Sequence, residues 1–167
     1  MRRALLVLAL FVATPATAQS PRSFDFRGER LGDPVPAQAA KLCGSLVVDS
    51  LFICMRLDSI GAVVVSIVRE FYHDRLLRWT AVFDSRDVAA MLAAARDKFA
   101  APSVRETAEL QTASGGRLVG DVVKWVLGAD TLVVRQFDES ATRGTMLIVN
   151  QSLFREWQRF NEKKNGM

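Results

Sequence analysis

Three kinds of hydrophobic pattern run along the chain. Residues 4–13 (ALLVLALFVA) are an unbroken apolar run, behind Arg2 and Arg3 and ahead of Pro15. From Leu51 to Phe83 the apolar residues cluster in strand-like runs. Phe52–Leu57 is one, Gly61–Phe71 is dense in Val and Ile, and Leu77, Trp79, Ala81 and Phe83 alternate with more polar neighbours. A period of two marks a half-buried strand. Asp58-Ser59 and Tyr72-His73-Asp74-Arg75 are read as the turns between them. The period then changes. Val88, Met91, Leu92, Ala95 and Phe99 fall at i, i+3, i+4, i+7 and i+11, one face of a helix that Asp84 or Ser85 caps and Pro102 stops.

Strand patterns return over Val104–Thr112, Leu118–Leu127, Thr131–Phe137 and Thr145–Val149. Turns at 113–116 and 128–130 and a polar loop at 138–144 separate them. A last helix is expected from about Ser152, with Leu153, Phe154, Trp157 and Phe160 on its apolar face. Ahead of all this, Asp33 and Pro34 are a helix-start signal for a short helix over Pro34–Leu42, ended by Gly44. The order is helix, three strands, helix, four strands, helix. Strands joined by short turns pair antiparallel. The expected fold class is α+β: a two-layer sandwich, an antiparallel sheet with helices on one face. It occupies residues 34–164, behind an extended arm at 19–33 anchored by Phe24, Phe26 and Leu31.

The apolar run at the start changes where this domain is expected to work. Ten apolar residues span roughly half of a bilayer core. With two arginines before them and Ala16-Thr17-Ala18 after them, they read as a secretory signal cleaved after residue 18. The expected location is the periplasm or the medium. No other apolar stretch approaches a span, so no membrane crossing is expected. Removing residues 1–18 leaves 20 basic against 18 acidic residues, a net charge of about +2 from the full-length +4. That is too weak for a nucleic-acid partner, which calls for a concentrated basic face. Export also bears on Cys43 and Cys54, the two cysteines. An even count in an exported chain predicts a disulfide between them. A loop of about ten residues would gain around 2–3 kcal/mol from closure.

The stretch from Gly61 to about Val149 resembles small periplasmic domains of the BamE/SmpA and β-lactamase-inhibitor-protein type. The resemblance is carried by Phe71-Tyr72-His73-Asp74-Arg75-Leu76, by the helix exit Lys98-Phe99-Ala100-Ala101-Pro102, and by Val123-Lys124-Trp125-Val126-Leu127. That family commonly has glycine where Ala100 stands, tends to begin with a helix pair, and carries a lipid-attachment cysteine that this signal lacks. The resemblance implies a protein-binding module rather than an enzyme.

Catalytic chemistry finds no foothold. His73 is the one histidine, beside Asp74 in a turn, and a lone histidine builds neither a metal site nor a triad. Ser114-Gly115-Gly116-Arg117 has the glycines of an anion cradle but no lysine or following helix, and reads as a hairpin turn. Asp121, Asp130 and Glu139 sit on separate segments. Asn150-Gln151-Ser152 fits a glycosylation sequon. No catalytic residue, metal ligand or cofactor is therefore assigned. Trp79 and Trp157 are expected in the core. Trp125, with Val123 and Leu127 on the same strand face, is the expected anchor for another exported or envelope protein. The competing expectation is a small-ligand carrier or hydrolase with its site between sheet and helices.

Overall fold

The computed structural model describes residues 24–26, 28–36, 46–48, 50–112 and 115–165. The expected signal peptide, most of the expected first helix, and Cys43 lie outside them. Among the described residues ten strands and two α-helices form: β1 (Asp25–Phe26), β2 (Glu29–Arg30), β3 (Leu46–Val48), β4 (Leu51–Ile60), β5 (Val63–Tyr72), β6 (Arg75–Asp84), α1 (Val88–Phe99), β7 (Val104–Gln111), β8 (Arg117–Leu127), β9 (Asp130–Arg135), β10 (Arg143–Asn150) and α2 (Gln151–Asn165). Eight strands make one sheet in the order β3-β4-β5-β6-β10-β9-β8-β7, and every pairing in it is antiparallel. Two meanders, β3–β6 and β7–β10, thus meet at β6 and β10, and α1 carries the chain from the centre of the sheet to its far edge.

The expected antiparallel sheet and α+β class are present. The arrangement of helices differs from expectation. One face of the sheet, the covered face, carries Val65, Ile67, Trp79, Ala81, Phe83, Met146, Ile148, Leu132, Val134, Val123 and Trp125, all buried in one cluster with Met91, Leu92 and Ala95 of α1. The β1–β2 arm closes the same face. Phe26 tilts against Trp79 at 4.3 Å, and Phe24 meets Phe99 edge-on at 4.7 Å. The second helix sits on the opposite face, where Leu153 clusters with Leu51, Tyr72 and Leu77. A bulge sets this up. The register shifts after the Glu70–Arg78 pair, so that Phe71 faces Leu76 and Leu77 is left over. Leu76 then packs with Phe71 and Cys54 under the arm, while Leu77 turns toward α2. A period-two reading of residues 77–83 carries no sign of that extra residue.

The segment after the arm also departs from expectation. Pro34 bridges Arg75, and the Val35 amide donates to the Asp74 carbonyl at 2.8 Å. Residues 34–36 are therefore tied to the β5–β6 hairpin and do not begin a helix. Strand β4 continues through Asp58 and Ser59, and the turn falls at Gly61. Cys54 is disulfide-bonded, on the covered face opposite Arg69.

Candidate functional site

Among the described residues, the side of each strand that faces away from α1 is left largely uncovered. Register gives its rows. One row across the sheet reads Leu57, Ser66, Val82, Thr145, Arg135, Val122, Glu106. The next reads Met55, Val68, Thr80, Leu147, Val133, Lys124, Val104. The third, Glu70, Arg78, Val149 and Thr131, runs toward α2, which roofs that end. Beyond the roof the face is open. Leu57 is 77% exposed, Val64 70% and Met55 63%, with Val104 and Val126 also exposed toward the other edge. Large apolar side chains at that exposure, side by side on neighbouring strands, are the kind of patch that marks an interaction surface.

Two shallow cavities adjoin this open face, and Arg135, Asp138 and Glu139 line both. One, about 280 Å³, lies between the β7–β8 hairpin and the loop after β9. Gly120 shapes it: a Cβ there would fall 2.5 Å from the Phe137 ring, so only glycine lets that ring rest on β8. The other, about 300 Å³, runs over Thr80, Thr145, Val133 and Leu147. Several of the charges around them are paired. Glu70 takes the Arg78 guanidinium, Glu139 takes Arg143, and Asp121 takes Arg105 at 2.9 Å. On the covered face the space is filled instead: the cavity under the β1–β2 arm holds about 10 Å³ and the one between arm, sheet and α1 about 50 Å³, against the several hundred that ligand sites occupy.

The residues singled out from sequence are placed as follows. Trp125 is 1% exposed and lies under α1, its indole Nε1–H donating to the Ala100 carbonyl at 3.1 Å. Val123 is fully buried beside it, and Leu127 is half-buried against the same core. These three pack on the side of the sheet that α1 covers, and Trp125 and Val123 present no surface to a partner. The side chains on the open face are their neighbours, Val122, Lys124 and Val126. Alternation on β8 identified the two faces, but both are apolar, and α1 decided which was buried. Trp79 is in the core as expected, and Trp157 is half-buried against Phe154 on α2.

His73 and Asp74 form a two-residue turn with positive φ at both positions, 48° and 58°, exposed at the surface. Asp121 and Glu139 both border the first cavity. Asp130 does not: it is buried at the β8–β9 turn, and burial raises its carboxyl pKa, opposed by a hydrogen bond from the Phe24 amide. Gly115 donates to the Thr112 carbonyl at 2.9 Å, as a hairpin turn requires. Asn150 of the sequon is the N-cap of α2, its Oδ1 accepting from the Ser152 and Leu153 amides at 3.1 and 3.0 Å. Among the described residues no group of three or more His, Cys, Asp or Glu could hold a metal ion, and no helix is long and apolar enough to cross a membrane. The exposed stripe of Met55, Leu57 and Val64 was the residue set that sequence reasoning missed. Its one signal is apolar residues on both faces of β4 and β5.

No family model, curated protein or solved structure matches the chain.

Proposed function

We propose that this chain is an exported protein-binding module, of inhibitor or assembly-adaptor type, and that its partner docks on the open face of the sheet. One observation carries the reading. Met55, Leu57 and Val64 stand exposed on adjacent strands, where a solvated face would carry polar side chains. Val68 and Val82 extend the patch inward, half-buried, toward the cavity over Thr80 and Leu147. The partner is another exported or envelope protein that offers an apolar surface with a polar rim, because Met55, Leu57 and Val64 form an apolar end of the face while Glu106, Lys124 and Arg135 bring charge to the other. The resemblance to BamE/SmpA-like and inhibitor-protein domains points the same way.

The filled space beneath α1 weighs against a carrier or hydrolase with its site there. Leu57→Glu tests the reading. The side chain is largely in water, so the fold should tolerate the charge within about 0.5 kcal/mol. Affinity for the physiological partner should fall at least tenfold, about 1.4 kcal/mol. Unchanged affinity would reject this face as the docking surface.

A further inference from the structure

The open face is not the only unpartnered feature of the sheet. Strand β7 is its last strand, bonded to β8 on one side and, among the described residues, to no strand on the other. It is eight residues long, and all but Leu110 are exposed. Such an edge offers a row of backbone donors and acceptors to any extended chain, and proteins usually blunt one with charge, a bulge or proline. Here the charges are arranged in a way that selects one partner. A two-fold axis through an antiparallel sheet pairs residues of like parity, each on the same face as its mate.

With Thr107 on the axis, Arg105 of each copy faces Glu109 of the other, Val104 faces Leu110, Glu106 faces Ala108, and Thr107 faces itself. Both charged pairs are opposite in sign, both outer pairs are apolar, and Thr–Thr is a favourable cross-strand pair. The neighbouring registers lose this. Centring on Glu106 or Glu109 puts two carboxylates face to face, and centring on Arg105 puts two guanidiniums face to face. Centring on Ala108 sets Glu106 against Leu110 and Thr107 against Glu109.

We infer that β7 pairs with β7 of a second copy of this chain in the Thr107-centred register, joining two eight-stranded sheets into one. Asp121 and Arg117 of β8, which already hold Arg105 and Glu109, extend each cross-strand pair into a four-charge cluster. The open faces of the two copies become one continuous surface, since the two-fold axis keeps like faces together.

Two single variants and their mixture test the register. Arg105→Glu alone sets carboxylates against carboxylates in a self-pair, and Glu109→Arg alone sets guanidiniums against guanidiniums. An equimolar mixture of the two restores an opposite-charge pair at every position. Both side chains are more than half exposed, so circular dichroism should show both variants folded. Sedimentation of the oxidised, signal-free chain over a concentration series should find a wild-type dimer. Each variant alone should self-associate at least about tenfold more weakly, and the mixture should return to the wild-type constant. The local clash with Asp121 or Arg117 is present in the mixture as well, so recovery reads only the pairing across copies. A wild-type chain that stays monomeric throughout, or a mixture that associates no better than the separate variants, would overturn the inference.

Discussion

Ala100 ends α1 with φ 63° and ψ −149°, a conformation that side chains resist and glycine adopts freely. It is held there from two sides: its amide donates to the Arg96 carbonyl and its carbonyl accepts from Trp125. Ala100→Gly should therefore raise stability by about 1 kcal/mol, read as a higher denaturation midpoint with an unchanged slope. A lower midpoint would mean the alanine methyl contributes packing that outweighs the strain. Trp125→Ala removes the other half of that joint, and should cost about 3–5 kcal/mol. A loss under about 1 kcal/mol would contradict a packing role. Asp130 gives a pH signature. Its folded pKa is raised, so the native state holds the proton more tightly than the unfolded chain, and the associated stability is lost as pH rises through the folded value. Asp130→Asn should thus stabilise at neutral pH, with a gain that shrinks on acidification toward about pH 4, below which the carboxyl is protonated in both states. A gain independent of pH would rule out ionisation as the source.

The elements that sequence predicts well here are those whose periodicity is set by a single buried face. The alternation of Trp79, Ala81 and Phe83 is the covered face of β6, and the i, i+3, i+4, i+7 set of α1 contributes Met91, Leu92 and Ala95 to the same core. The last helix appears within a residue of where Leu153 and Trp157 place it. What the pattern does not encode is which side of the sheet each helix takes. That choice at α2 rests on the leftover residue at Leu77, a bulge of one residue inside an apolar run. The Asp33-Pro34 start signal was likewise overridden, because bonds to the β5–β6 hairpin satisfy the backbone there. The Asn150 cap is the element-scale counterpart of these bonds. Asn150→Ala should cost about 1 kcal/mol and fray α2, seen as lost helical ellipticity at the midpoint of partial unfolding. Cys43 is the expected mate of Cys54, a pairing that would tie β4 to the segment before it. Denatured, unreduced protein should contain no free thiol if Cys43 is its mate, and two free thiols would contradict the pairing.

At the scale of the molecule, the sheet is a two-sided object with its sides put to different uses. One side buries both the α1 interface and the β1–β2 arm, with tryptophans 79 and 125 at its centre. The other keeps α2 over one corner and leaves apolar side chains in water beyond it. Alternation on β8 located the tryptophan but not the side that α1 would take, so Trp125 packs under α1 and the proposed docking surface is the opposite face. Photocrosslinking in the native cell compares the two sides directly. A photoreactive residue placed at Leu57 or Val64 should give adducts to one and the same exported partner. The same probe at Arg96, exposed on α1, should give none. Adducts from Arg96 with none from Leu57 and Val64 would contradict docking on the open face.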